Sequence, residues 1–203
     1  MKFKLFALLA AFSLSGFATA RADDLAHRYN YFDFGWERTS FQGDPGDYFA
    51  NGHGLATEVM VSPRDNLLFH AEYHLSRPED ATGEGIAVHD VRFGVGGYVP
   101  IGKSKRISFY GLVGPRYLKA ETDDPEFDPA DWGLFVEPGF RFNVTGNFEL
   151  YAAYEFSAIY DTNFHAGKIG ALLNISPTLG IEAFARLDEE WSHSYGAGVR
   201  VGW

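Results

Sequence analysis

The sequence predicts an all-β protein: a closed antiparallel transmembrane β-barrel of ten strands, with eight as second choice, wound as an up-and-down meander. Three observations predict it. Segment after segment alternates apolar and polar residues with a period of two, the mark of a strand with two unlike faces. Almost no helical periodicity lies between these segments, and beyond the N-terminus no run is long and apolar enough for a membrane helix. Long acidic loops and short turns alternate along the chain, which puts the loops at one end of the barrel.

The segment Asp90–Val99 shows the pattern most plainly. Val91, Phe93, Val95, Gly97 and Val99 are apolar or small, while Asp90, Arg92, Gly94, Gly96 and Tyr98 are charged, small or polar-aromatic. In a soluble sandwich the apolar face would meet a core. Here the polar face carries charges on nearly every segment, so the strands are expected to close on themselves with the apolar face toward lipid. Only closure satisfies every backbone group of a strand wall in lipid.

Residues 1–22 read as a secretory signal. Lys2 and Lys4 precede an apolar run from Leu5 to Gly16, and small-x-small sites overlap at Ala18-Thr19-Ala20 and Ala20-Arg21-Ala22. Cleavage is expected after Ala22, or after Ala20, leaving 23–203 as one barrel domain. Loss of Lys2, Lys4 and Arg21 takes the net charge from −10 to −13.

Ten segments follow. The first, Arg28–Phe41, sets Phe32, Phe34 and Trp36 against Asp33, Gly35 and Glu37. After an acidic loop (42–52), Gly54–Val61 sets Leu55, Thr57, Val59 and Val61 against Ala56, Glu58 and Met60. The turn Ser62–Asn66 leads to Leu67–Leu75, with Phe69, Ala71 and Tyr73 opposing His70, Glu72 and His74. A loop at 76–85 precedes the fourth segment, 87–99, and a basic turn at 100–105 the fifth. In that fifth segment, Arg106–Leu118, Ile107, Phe109, Val113 and Tyr117 oppose Ser108, Tyr110, Gly114 and Arg116. The longest loop, 119–131, precedes Trp132–Val144, where Leu134, Val136, Phe140 and Phe142 oppose Phe135, Glu137, Gly139 and Arg141. In Phe148–Ile159, Leu150, Ala152, Tyr154 and Phe156 oppose Glu149, Tyr151, Glu155 and Ser157. After a short loop at 160–163, segment 165–175 sets Ile169, Ala171 and Leu173 against Lys168, Gly170 and Asn174. In Leu179–Asp188, Ile181, Ala183, Ala185 and Leu187 oppose Glu182, Phe184, Arg186 and Asp188. In Ser194–Trp203, Tyr195, Ala197, Val199, Val201 and Trp203 oppose Gly196, Gly198, Arg200 and Gly202. Pro115 and Pro138 fall inside the fifth and sixth segments beside Gly114 and Gly139. Since proline donates no ladder bond and a barrel has no free edge, bulges or a shared bend are expected there.

Composition narrows the function classes. There is no cysteine, which excludes disulfides, thiol catalysis and Cys-ligated metals. A net charge of −10 leaves no footprint for nucleic acid. Aromatics at 17% with 23 glycines suit β-structure with close backbone approach.

The chain resembles the small outer-membrane β-barrel families of Gram-negative bacteria. It is similar to the small outer-membrane proteins of xanthomonads and their relatives at Tyr29-Asn30-Tyr31 and at Val91-Arg92-Phe93-Gly94-Val95-Gly96-Gly97-Tyr98. The turn near Ser176-Pro177 and the ending on Trp203 are shared as well. The resemblance implies export, insertion in the outer membrane among lipid and lipopolysaccharide, and no catalytic residues. Tyr195, Val199, Val201 and Trp203 also look like the C-terminal signal read by the barrel-assembly machinery. Most such signals end in Phe, so the Trp is a departure.

The inward positions Glu58, His70, Glu72, His74, Asp90, Arg92, Arg116, Glu137, Arg141, Glu149, Glu155, Lys168, Glu182, Arg186 and Arg200, with Asp33 and Glu37, mix both signs. They are expected to form a polar network filling the lumen, because ten strands enclose little more than side chains can fill. A narrow passive pore is the alternative. His70 and His74 lie about 13 Å apart at ~3.4 Å per strand residue, too far to share an ion. A neighbouring His/Glu pair could hold zinc with a third ligand from another strand, but interior polar packing is the expected role, and no metal or other cofactor is expected. At the loop end, Asp161, His165, Asp188 and His193, with Ser192 and Ser194, suggest a rim hydrolase by acid/His activation of water; solvated loop polarity is the competing account. His53 alone has the outward placement an acyl hydrolase of membrane lipid would need.

The acidic loops carry Asp44, Asp47, Glu79, Asp80, Glu84, Glu121 to Asp131, Glu189 and Glu190, and the opposite turns carry Arg64, Lys103, Lys105 and Arg106. Carboxylate clusters facing lipopolysaccharide suit divalent cations, with a solvated face as the plainer reading. Tyr48, Phe49, Phe127, Trp132, Tyr160, Phe164 and Trp191 near the loops, and Phe142, Phe148 and Trp203 near the turns, are expected to form two aromatic girdles. The sequence therefore predicts a monomeric, non-enzymatic outer-membrane barrel with a plugged lumen, structural or interactive through its acidic loops.

Overall fold

In the computed structural model ten strands form one closed antiparallel barrel. Residues 29–41, 49–80, 86–121, 129–189 and 192–203 are described. The strands are β1 (Tyr31–Phe41), β2 (Phe49–Arg64), β3 (Leu67–Asp80), β4 (Ala87–Ile101), β5 (Ile107–Glu121), β6 (Ala130–Thr145), β7 (Phe148–Ile159), β8 (Thr162–Asn174), β9 (Leu179–Asp188) and β10 (Ser192–Gly202). Each pairs with its sequence neighbours, and β1 closes the wall against β10, with Phe34 opposite Val199. The eight-strand alternative is thus set aside. The signal-peptide reading of 1–22 lies outside the described residues.

The wall is inside-out relative to a water-soluble fold. Phe93, Val95, Leu150 and Val199 are 40–46% exposed on the outer face, while Arg92 and Glu155 are 1% exposed within. The period-two pattern sorts these two sets, since successive side chains of a strand take opposite faces. Apolar side chains exposed in such number over a continuous surface require a non-aqueous solvent.

Several strands run beyond the expected limits. Residues 49–52 and 76–80, expected as loop, lie in β2 and β3, with Asn51 opposite Glu79 and, next along, His53 opposite Arg77. The β2–β3 turn shrinks to Asp65–Asn66, where Asn66 takes φ 67°. A register shift between Val61 and Arg64 absorbs the slack there, and the Ser62 N–H donates to Asn30 Oδ1 at 2.7 Å. The expected 160–163 loop is a two-residue turn, Tyr160–Asp161, with φ 53° and 55°. Positive φ at both central residues suits the twist of a tight hairpin.

The prolines correct another expectation: neither makes a bulge. Pairing of β4 with β5 lapses between Arg92↔Arg116 and Val95↔Val113, opposite Pro115, and resumes in the same register. Pairing of β6 with β7 lapses likewise between Val136↔Phe156 and Gly139↔Ala153, at Pro138. Both prolines stay paired in register on their other side, Pro115 with Leu134 and Pro138 with Gly111. In an antiparallel strand each N–H points to one neighbour only. A proline therefore interrupts one ladder and spares the other. True register shifts occur elsewhere, at Phe49/Asn51 and Val61/Arg64 in β2–β3 and at Asn143/Thr145 in β6–β7.

Candidate functional site: the barrel lumen

Two layers of side chains occupy the lumen. Toward the short turns, Tyr29, Tyr31, Met60, Leu68, Tyr110, Leu112 and Phe135 form a buried cluster. Tyr29 stacks on Tyr98 with centroids 4.4 Å apart, and its hydroxyl lies 2.6 Å from Ser108 Oγ. Cations cap these rings: the Arg200 guanidinium sits 3.9 Å from the Tyr31 centroid and that of Arg141 4.9 Å from Tyr29. Arg200 donates to Asp33 at 2.8 Å and to Glu182 at 2.8 Å, and Arg141 to Glu149 at 2.7 Å. The Tyr31 hydroxyl donates to Glu58 at 2.7 Å, and His70 lies 3.4 Å from the same carboxylate.

Glycines make room for two of the tyrosines. Tyr110 stands opposite Gly139 and Tyr151 opposite Gly170. A Cβ on Gly139 would lie 2.4 Å from Tyr110 Cζ, and one on Gly170 would lie 2.2 Å from Tyr151 Cζ. Each ring thus lies flat over its glycine. From there Tyr110 donates to Glu137 at 3.1 Å, and Tyr151 donates to Glu182.

Toward the loops the lumen is ionic. Glu155 on β7 sits 2.8 Å from Arg92, 3.2 Å from Arg116, 3.2 Å from Arg186 and 3.7 Å from Lys168. Asp90 pairs with Arg92 and, at 2.8 Å, with Arg116, which also donates to Ser157 Oγ. Glu72 accepts from Arg92 at 2.7 Å and pairs with His74 at 2.8 Å; His74 also lies 3.2 Å from Glu37. Lys168 reaches Glu137 at 2.7 Å and Glu72 at 3.2 Å. Lys168 is on β8 and Glu72 on β3, five strands away in either direction round the wall, so this contact crosses the barrel along a diameter.

Every inward position singled out from the sequence contributes to one of these layers. Sequence reasoning passed over the apolar members Leu68, Leu112 and Leu172, each buried. Leu68 adjoins the outward Leu67, and Leu112 adjoins Val113. Counting the alternation strictly from His70 and Tyr110 would have found both.

His70 and His74 take separate carboxylates, and no group of three or more His, Asp or Glu among the described residues is placed to hold a metal. The rim constellation separates by face. His193 pairs in register with the outward Leu187, whereas Asp188 pairs with the inward Ala166. His165 lies on the outer wall, 2.6 Å from the Tyr154 hydroxyl. Ser194 points inward to Thr39 at 2.9 Å.

Of the expected girdle, Trp132 is exposed and lies tilted against Tyr117, with centroids 5.0 Å apart. Tyr160 lies in the β7–β8 turn with its hydroxyl donating to Leu118 O at 3.0 Å and its N–H to Asp131 at 2.9 Å. Burial and the Asp131 carboxylate raise that phenol above its ordinary pKa. Phe164 corrects the expectation: it pairs with the inward Ser157, and its ring lies 5.7 Å from the Arg116 guanidinium. Tyr48, Phe127 and Trp191 lie outside the described residues, as do Asp44, Asp47, Glu84, Glu190 and residues 122–128 of the acidic loops.

A closed strand wall, apolar without and ionic within, defines an integral membrane β-barrel, because only closure satisfies every backbone group in lipid. The sequence profile of the family described as "Outer membrane protein beta-barrel domain" matches residues 5–174. The chain belongs to that family, and its place is the outer membrane. No curated protein matches the sequence. Among solved structures it is similar to Ail, the attachment invasion locus protein of Yersinia pestis, at 18% identity and TM-score 0.46, covering 84% of this chain and 96% of that one. It is similar to the outer membrane protein OprG from Pseudomonas aeruginosa at 14% identity and TM-score 0.48, covering 89% and 99%. It is similar to outer membrane phospholipase A from Escherichia coli at 9% identity and TM-score 0.41, covering 91% and 94%.

Proposed function

We propose that this outer-membrane barrel is non-enzymatic, that its own side chains plug its lumen, and that it acts structurally or as a surface-interaction protein through its acidic loops. The observation that carries the plug is the Lys168–Glu72 contact across the full width of the lumen, with Glu155 gathering four cations beside it. A pore needs charges left facing water along a path. Here each cation meets a carboxylate, and the apolar cluster around Leu68 and Phe135 lies below. The absence of catalysis is supported by the rim, where Asp188 and His193 occupy opposite faces of the wall.

Tyr195, Val199 and Val201 on the outward row of β10, with Trp203 just past its end, are proposed as the segment read by the assembly machinery. Because one chain completes both the wall and the plug, a monomer is the proposed state, seated among outer-membrane lipid and lipopolysaccharide.

Single-channel recording in a planar bilayer tests the plug. Folded protein is expected to add no steady conductance at moderate voltage. Sustained ohmic steps from wild-type protein would refute it.

A further inference from the structure

We propose that the outer wall formed by β1, β2 and β3 binds a phosphorylated lipid headgroup of the outer leaflet, with Arg38, His53 and Arg77 as its phosphate ligands. Arg38 stands opposite His53, and His53 opposite Arg77, so the three occupy one rung on adjacent strands. All three are exposed on the outer face. Strands lie about 4.8 Å apart, so the row spans roughly 10 Å, within reach of one or two phosphates.

A hollow of about 320 Å³ opens in the wall here, lined by Trp36, Arg38, Asn51, Gly52 and His53. It combines a guanidinium, an imidazole and an amide with an aromatic floor. Arginine's planar fork suits a phosphate because it can donate two parallel bonds. The nearest acidic position in register is Glu79, opposite Asn51.

The position along the barrel selects a lipid over a dissolved anion. Two residues nearer the turns, the neighbouring rung is Trp36, Leu55 and Leu75, and the one below that is Phe34, Thr57 and Tyr73. The cations therefore border the apolar belt, on the face turned to the membrane. A headgroup held at Arg38 and Arg77 can lay its acyl chains down over Trp36, Leu55 and Phe34. The sector is also one-sided. At the loop end of β6 to β9 the described outward positions include Ala130, Trp132, Ala158, Asn163, His165 and Leu187, with no Arg or Lys among them. On β5, Lys119 is already paired with Glu121 at 2.8 Å. The inference stands apart from the plugged lumen, since a conducting barrel would hold the same lipid in the same place.

Native mass spectrometry of the full folded chain, released from detergent after incubation with bisphosphorylated lipid A, tests the proposal. Wild type is expected to retain this lipid over its dephosphorylated form. The R38Q/R77Q variant should retain roughly ten-fold less, in line with loss of two charge-assisted forks, while K103Q/K105Q at the opposite end should match wild type. Gel mobility with and without boiling verifies that each variant is folded; should the double variant not fold, R38Q and R77Q are read singly, each with a partial loss. Equal retention by wild type and the Arg38/Arg77 variants, retention indifferent to the phosphates, or an equal loss in K103Q/K105Q would each overturn the proposal. Inorganic phosphate competing off the lipid at low millimolar concentration would also overturn it, by moving the ligand from the membrane to solution.

Discussion

Glu155→Gln probes the lumen most sharply. The carboxylate is 1% exposed and lies within 4 Å of Arg92, Arg116, Lys168 and Arg186. Breaking a buried ion pair by removing one partner costs about 3–5 kcal/mol, because the other charge is left uncompensated. Three of the cations have further acids: Arg92 and Arg116 keep Asp90, and Lys168 keeps Glu72 and Glu137. Arg186 meets Glu155 at 3.2 Å through both its hydrogen bond and its ion pair. The cost should therefore fall at the low end, about 3 kcal/mol. Adding Arg186→Gln should restore roughly half of that, since contacting residues couple by about 0.5–3 kcal/mol. Equilibrium unfolding by urea from phospholipid vesicles, followed by tryptophan fluorescence, measures all four corners of the cycle. A single-variant loss below about 0.5 kcal/mol, the range of ordinary surface changes, would show that Glu155 is solvated and that the ionic layer does not close the lumen.

Further expectations follow from other parts of the wall. Gly170→Ala brings a Cβ to 2.2 Å from the Tyr151 ring; the ring must leave its glycine and its bond to Glu182, at about 1–3 kcal/mol on the same urea titration, and an unchanged midpoint would contradict the packing. Val136→Arg sets a charge on the lipid face of β6 and should cost about 2–4 kcal/mol near the midplane; a neutral result would mean that face does not meet hydrocarbon. Asp161→Gly relieves a positive φ of 55° in the β7–β8 turn and should stabilise by up to about 1 kcal/mol; destabilisation would show that the Asp161 side chain anchors the turn. Deleting Trp203 should slow assembly in vivo while leaving refolding in detergent intact, and equal slowing in both would reduce its role to packing.

How much of this was legible in the sequence depends on which face a residue occupies. Charged inward positions such as Arg92 and Glu155 are readable because charge on one parity of a strand has only the lumen to go to. Leu68 and Leu112 were not, because an apolar residue beside another apolar residue carries no parity signal. Strand ends differ from expectation where the sheet outlasts the apolar alternation: Arg77 and His53 pair across β2–β3 although the composition around them is that of a loop. Phe164 looked like a girdle residue by type and position, yet β8 begins at Thr162 and its register turns the ring inward. Pro115 and Pro138 lie on the expected strands, and of the bulges or shared bend expected there the bulges are absent, because an antiparallel strand loses one bond on one side and keeps its register. Diametric contacts such as Lys168 with Glu72 have no sequence signature, since they depend on how the whole wall closes.

The alternation that builds the wall has a consequence for the chain before it has any wall. Greasy residues at every second position never add up to a run that an inner bilayer could trap as a helix. The travelling polypeptide is an ordinary water-compatible polymer, and its liking for acyl chains comes into being only when the strands roll up and sort their two sides. One string of residues thereby serves two solvents in succession, and the moment of closure decides which of them it answers to.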